Sequence, residues 1–218
     1  MAYPDQDWRL FIALELPEAL RAALTSEQER LRAEGLQAAW VRPPGMHLTL
    51  HFLGDTPVAA IERIEDACAL AASRIQPLRL QARGLRCFPS ALRPRVLIAG
   101  IQGDVRQLKR LHHRLTRRLG QLGYRPDRRS YRPHVTIARF RRPLRGAPLA
   151  VLQRALTSPP ADYGSFATGA VELFRSELRP GGAVYTSLAT AALQGRPTEP
   201  APILVQNDIG GGGSRGTR

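Results

Sequence analysis

A two-lobed α+β fold with pseudo-twofold symmetry is what the 218-residue sequence predicts, and three observations predict it. Strand-like and helix-like segments alternate along the chain. Turn signals and apolar/polar alternation join the strands as antiparallel hairpins rather than parallel crossovers. A short pattern of residues also occurs twice, 87 positions apart, once in each half of the chain.

The elements follow in order. Residues 8–16 (WRLFIALEL) read as a strand, and Pro17 stands where a helix opens. Leu20, Leu24 and Leu31 mark one face of a helix over 18–33, closed by Gly35. Residues 39–42 form a short extended segment before the turn Pro43-Pro44-Gly45. A strand over 47–53 stops at Gly54-Asp55. A second helix over 57–73 turns Ile61, Ile64 and Cys68 inward. Strands at 78–85 and 95–101 flank a loop with Pro89 and Pro94. Asp104 and Gln107 resemble a capping box opening a third helix, which ends at Gly123. Its apolar stripe is Val105, Leu108, Leu111, Leu115, Leu119 and Leu122, with Arg106, Arg110, Arg114 and Arg118 on another face. A strand at 134–140, a helical stretch at 149–156, and strands at 171–178 and 183–189 joined through Pro180-Gly181-Gly182 complete the domain. The domain spans residues 1–193; the Pro- and Gly-rich residues 194–218 read as a disordered tail.

Composition narrows the class. No apolar run reaches the length of a membrane span, and the polar start resembles no secretory leader. Cys68 and Cys87 lack ligand-like spacing, so a reduced cytoplasmic protein is expected, and a monomer. No Gly-rich phosphate loop or dinucleotide fingerprint follows a strand, which argues against those nucleotide cofactors. The net charge of +14 is concentrated: residues 106–145 hold fourteen Lys or Arg and one acid, Asp127, a local net of +13. Such a region fits a phosphate-backbone partner.

The repeated pattern carries the chemistry. Residues 47–50 read His-Leu-Thr-Leu and residues 134–137 read His-Val-Thr-Ile. With five His and eleven Thr in the chain, about 0.05 such matches are expected by chance, so two are informative. On a strand, residues i and i+2 share a face. His47 with Thr49, and His134 with Thr136, therefore face one way, while Leu48, Leu50, Val135 and Ile137 anchor the strands from the other. If the two strands pack side by side, two imidazoles and two hydroxyls meet in one cleft. Histidine gives or takes a proton near neutrality. Two of them flanking a phosphorus centre serve as general acid and base, each contributing roughly 10²–10⁴-fold. The hydroxyls donate to the non-bridging oxygens. The set suits hydrolysis of a strained cyclic phosphate. It makes a poor zinc site, because no Asp or Glu falls at a matching position.

These residues resemble the two-histidine (2H) phosphoesterase superfamily, and within it the RNA 2′,3′-cyclic phosphodiesterases once called 2′-5′ RNA ligases. The resemblance rests on RLFIALELP at 9–17, W-V-R-P at 40–43, HLTLHFLG at 47–54, CFP at 87–89, RPHVTIAR at 132–139 and S-x-L-x-P-G-G-A-V-Y at 176–185. It implies antiparallel sheets lining a cleft between the lobes, helices outside, and hydrolysis to a 2′-phosphate without metal or cofactor. His47 is then the proton donor, His134 the acceptor, and Thr49 and Thr136 the phosphate binders. The implied partners are RNA with 2′,3′-cyclic phosphate ends or small cyclic nucleotides, and no membrane. Arg132 matches the family's RPH pattern and is a candidate for phosphate binding. His51 shares the parity of His47, where the family more often carries Arg or Lys. His112 and His113 read as a boundary and a solvated residue. Phe11, Trp40 and Tyr131 could stack a base, but Phe11 and Trp40 read rather as core packing, and none of the three is read as a site residue. Two other functions remain: 2′-5′ ligation by the same residues, and RNA binding without catalysis through the basic region.

Overall fold

The computed structural model describes residues 6–125, 130–180 and 182–195. The predicted tail from residue 196 onward, the first five residues and Gly181 of the predicted turn lie outside the described residues.

The elements run β1 (Asp7–Leu14), α1 (Glu18–Ala33), β2 (Ala39–Trp40), β3 (Leu48–Pro57), α2 (Ile61–Ala72), β4 (Leu78–Phe88), β5 (Val96–Gly103), α3 (Val105–Gln121), β6 (His134–Arg139), α4 (Gly146–Thr157), β7 (Asp162–Thr168), β8 (Ala170–Arg179) and β9 (Gly182–Ala192). One sheet has the order β3-β1-β8-β9 and the other β2-β6-β5-β4-β7. Their strand pairs are antiparallel. The two orders are images of each other once β2 is set aside: β3 corresponds to β6, β1 to β5, β8 to β4, and β9 to β7. The first half of the chain gives β2 and β4 to the second sheet and the second half gives β8 and β9 to the first, so each sheet is built from both halves.

Helices cover the outer faces. The α2 and α3 helices pack on each other, α2 against β8 and β9 and α3 against β3, while α1 and α4 pack against β7 and β4 of the second sheet. The Leu stripe of α3 is buried at Leu108, Leu111, Leu115 and Leu119. Val105 and Leu122 at its ends are half-buried. Along β1, Leu10, Ile12 and Leu14 join that core, whereas the buried Phe11 and Ala13 are turned to the other side of the sheet.

Several expectations change. The capping box at Asp104 does not form; the Asp104 carboxylate instead accepts the Arg79 backbone N–H at 2.8 Å, tying α3 to β4. The β3 strand does not stop at Gly54-Asp55 but runs on to Pro57. Gly54, at φ +75°, follows an extra residue, Leu53, that has no partner on β1. That position is a bulge rather than a terminator. The β7 strand, DYGSFAT, has no counterpart among the expected elements, because Gly164 and Ser165 interrupt its alternation and its register comes from pairing with β4. Arg114 is not a free cation: its Nε and Nη2 donate to the Ala71 and Leu70 carbonyls, closing the C-terminal end of α2.

Candidate active site

The two His-x-Thr-x segments do not lie side by side in one sheet. They sit on β3, the edge of the first sheet, and on β6 of the second, and meet where the sheets face each other. His47 immediately precedes β3 and His134 opens β6.

Both strands break their alternation at the same motif position. On β3, Ala13 pairs with Thr49 and Ile12 with His51, leaving Leu50 as the extra residue. On β6, Ile98 pairs with Thr136 and Leu97 with Ala138, leaving Ile137 extra. A bulge re-aims everything beyond it. Leu50 and His51 both turn to the helix side, so His51 is buried there beside α3 and lines neither the cleft nor its rim. The expectation from parity is corrected by one inserted residue. Phe52 and Arg139 are the positions that return to the cleft. They stand at the same offset, five residues after each motif histidine.

The bulge on β6 is held by α1. The freed Ile137 carbonyl accepts the Val41 backbone N–H at 2.9 Å and the Gln28 side-chain amide at 2.7 Å. The same Gln28 amide nitrogen donates to the Val41 carbonyl at 2.8 Å. Gln28 is buried on the core face of α1. A buried amide there makes sense only because the bulge exposes a carbonyl that a regular ladder would have paired.

A cleft of about 270 Å³ opens between the sheets, lined by His47, Thr49, Phe52, Thr136, Arg139 and Tyr185 among others. His47 and Thr49 come from one motif, Thr136 and Arg139 from the other. His134 is not among the lining residues; it shares the side of β6 that bears Thr136, two residues upstream. Phe11 stacks against the His47 imidazole with centroids 4.6 Å apart, and Tyr185 meets it edge-on at 5.4 Å. Phe88 meets His134 edge-on at 5.4 Å. Each imidazole is thus braced by aromatic rings.

The electrostatics follow from burial. Removal from water, reinforced by the Arg139 charge, lowers the His47 pKa from its usual value to about 4. Burial also lowers that of His134; its bond to the Arg132 carbonyl opposes the shift and Arg139 adds to it. His134 Nδ1 lies 2.6 Å from that carbonyl oxygen. A carbonyl only accepts, so Nδ1 carries the hydrogen and Nε2 keeps a lone pair. Arg132 itself is exposed, lies before the strand begins, and meets the site through its backbone; its guanidinium does not line the cleft. Pro133 separates it from β6, and face-sharing by parity holds only inside a strand.

Tyr131 ties the lobes together. Its hydroxyl donates to the Thr49 carbonyl at 3.2 Å, and His112 of α3 lies flat on its ring at 3.9 Å. Sequence reasoning misses this link because nothing local marks a contact 82 positions away. It misses Arg139 because parity assigns that residue to the face opposite Thr136, and the bulge at Ile137 reverses it. Gln28 is hidden as one polar residue on a helix. Only the repetition of a polar residue five after each histidine would hint at a special position, and Phe52 breaks that pattern.

A two-lobed phosphoesterase fold with paired His-x-Thr-x strands is what the sheets and cleft define. A family model described as LigT like Phosphoesterase matches residues 14–98 and again 100–185, one copy over each motif. The chain belongs to that family. The double match agrees with the mirrored sheet orders. An RNA 2′,3′-cyclic phosphodiesterase of Methanothermobacter thermautotrophicus is 32% identical over 83% of this chain and 96% of its own length. One from Thermus thermophilus is 35% identical over 86% of this chain and 91% of its own. A crystal structure of a Thermus thermophilus protein superposes with a TM-score of 0.72 at 32% identity, covering 87% of this chain and all of that one. E. coli LigT complexed with 3′-AMP superposes with a TM-score of 0.67 at 26% identity, over 86% and 98% of the two chains.

Proposed function

We propose that this protein hydrolyses 2′,3′-cyclic phosphate ends of RNA, or small cyclic nucleotides, to 2′-phosphates by acid–base catalysis without a metal. The observation that carries the reading is the one cleft lined by His47 and Thr49 from one motif and by Thr136 and Arg139 from the other. The names of the two phosphodiesterases above point to the same substrate class.

In this reading a water attacks phosphorus and gives its proton to Nε2 of His134. The bond from phosphorus to the 3′ oxygen breaks, and His47 supplies the proton that oxygen needs. The product keeps phosphate on the 2′ oxygen, and solvent resets both imidazoles. The Thr49 and Thr136 hydroxyls donate to the non-bridging oxygens, and the Arg139 guanidinium neutralises the charge gathered there. The His134 tautomer suits the base role, and its lowered pKa keeps it neutral at pH 7. The acid must be protonated, and the arriving phosphate favours that by offsetting the Arg139 charge, the smaller of the two causes that lower its pKa. Arg132 serves by orienting His134 and, exposed beside it, by meeting the RNA backbone. No group of three or more His, Cys, Asp or Glu placed to hold a metal ion occurs among the described residues.

The test is hydrolysis of an oligoribonucleotide with a 2′,3′-cyclic phosphate end in excess EDTA, with the product's phosphate position assigned by phosphorus NMR. A 2′-phosphate is expected, with each of His47→Ala and His134→Ala slowing turnover by about 10²-fold or more. A 3′-phosphate product, or full activity in either variant, overturns the assignment.

A further inference from the structure

We propose that Arg9 forms a second phosphate subsite, which holds the phosphate on the 5′ oxygen of the nucleotide whose cyclic phosphate is opened. The proposal deepens the reading above and rests on it. The cleft is lined by one arginine from each sheet, Arg139 on β6 and Arg9 on β1. In that reading Arg139 serves the reacting phosphate, and Arg9 has no task. Phe11, whose ring stacks on His47, lies on the same cleft-facing side of β1 as Arg9. Arg9 stands two residues further along the strand, a step of about 7 Å. It therefore marks a stretch of the cleft wall beyond the two motifs.

The surroundings of Arg9 leave its charge open to an anion. Arg21, Arg30, Arg175 and Arg179 each form an ion pair with a carboxylate, whereas Arg9 and Arg139 form none among the described residues. Asp55 is the register partner of Arg9 on β3, yet the two side chains do not pair and Asp55 does not line the cleft. The neighbouring Gly54 keeps the wall open, since a Cβ there would meet nothing within 4 Å. On the opposite flank Ser176 follows Arg175, the β8 partner of Leu10, and brings a hydroxyl to the same stretch of the cleft. A guanidinium and a hydroxyl both donate to phosphate oxygens.

The chemistry selects which phosphate this is. His47 supplies the proton to the 3′ oxygen, so the ribose lies on the side of the first sheet, where His47 precedes β3. The attacking water comes from the opposite side, beside His134 on the second sheet. From the ribose the nucleotide continues through its 5′ carbon along the first sheet, and the first anion beyond it is the phosphate on the 5′ oxygen. A nucleoside cyclic phosphate with a free 5′ hydroxyl leaves Arg9 unused. The ligand class is therefore a nucleoside 2′,3′-cyclic phosphate that carries a second phosphate at its 5′ oxygen. That phosphate is a monoester in a free nucleotide and a diester at an RNA end.

The experiment compares adenosine 2′,3′-cyclic phosphate with its 5′-phosphorylated form and with the diadenosine dinucleotide ending in a 2′,3′-cyclic phosphate, in wild type and Arg9→Gln. The quantity read is kcat/KM relative to the first substrate. Wild type is expected to favour a 5′ phosphate by about tenfold or more, and Arg9→Gln to lose that preference. An advantage shared by the dinucleotide makes the RNA end the ligand; one confined to the monoester makes it the free nucleotide. No preference in wild type, or one that Arg9→Gln keeps, overturns the proposal, as does an equal loss on all three substrates. Calorimetry gives an independent reading: adenosine 2′,5′-bisphosphate should bind wild type more tightly than adenosine 2′-monophosphate, and Arg9→Gln should remove the difference. A bisphosphate bound no more tightly by wild type, or still favoured by Arg9→Gln, counts against the subsite. Failure of wild type to hydrolyse any of the three defeats the hydrolase reading instead, and the binding result then decides the subsite alone.

Discussion

At the scale of single residues, His47 is held against its proton by two influences of different kind. Burial against Phe11 and Tyr185 removes water, and Arg139 adds a positive charge; together they bring its pKa to about 4. Burial is the larger cause and does not change when ligand arrives. The Arg139 charge does change, because a bound phosphate neutralises it and adds a negative charge near the imidazole. The folded, empty protein therefore binds fewer protons at His47 than the complex does. Binding of an anion takes up a proton and strengthens as pH falls, until the pH reaches the free value near 4. A non-hydrolysable cyclic phosphonate, singly charged throughout this range, isolates the effect. Calorimetry in buffers of different ionisation enthalpy should show proton uptake in wild type at pH 6 and its loss in His47→Gln. Equal uptake in both proteins would assign the proton to another group.

At the scale of elements, the two bulges do what the strands alone could not. A regular β6 would point Arg139 away from Thr136, since residues three apart lie on opposite faces. The extra Ile137 reverses that, and Gln28 from α1 satisfies the carbonyl it leaves. Replacing Gln28 by Leu keeps the volume but strips the amide from the Ile137 and Val41 carbonyls. Removing a partner from buried acceptors costs about 1–3 kcal/mol, so a lower melting temperature is expected. If the bulge sets the cleft, KM for a cyclic nucleotide should also rise several-fold while far-UV circular dichroism stays native. A drop in melting temperature with KM unchanged would show that Gln28 supports the core only. Bulges also mark the limit of what the sequence reveals. Within each motif the histidine and threonine, His47 with Thr49 and His134 with Thr136, lie two residues apart ahead of the bulge, where parity reads their shared face directly. His51 and Arg139 lie beyond an inserted residue, and inserted residues leave no local signature. Strands rich in Leu, Ile and Val are legible for the same reason that β7, with its Gly and Ser, is not. Its pairing with β4 is a long-range choice.

At the scale of the whole molecule, the duplication brings two weak local signals into one cleft, and the charge is distributed unevenly around it. The α3 helix carries Arg106, Lys109, Arg110 and Arg117 on its exposed side, outside the sheets. Their fields overlap: Arg74, Arg117, Arg110 and Arg118 each add to burial in lowering the pKa of Arg114. Inside the cleft, by contrast, Arg9 and Arg139 are the cations that line it. A cyclic mononucleotide meets only the second set, whereas an RNA chain is long enough to feel both. Counterion release makes the RNA term fall steeply with salt, and exposed cations are screened within about 10 Å at 0.1 M. Between 50 and 200 mM salt, kcat/KM for a cyclic-phosphate-ended 20-mer should therefore fall by about tenfold or more. The mononucleotide should change much less, because it engages few cations. Replacing Arg106, Lys109 and Arg110 together by Gln should flatten the RNA slope and leave the mononucleotide rate in place, since none of the three lines the cleft. Parallel slopes for the two substrates would mean that the outer face of α3 is merely solvated, and that the cleft alone meets the substrate.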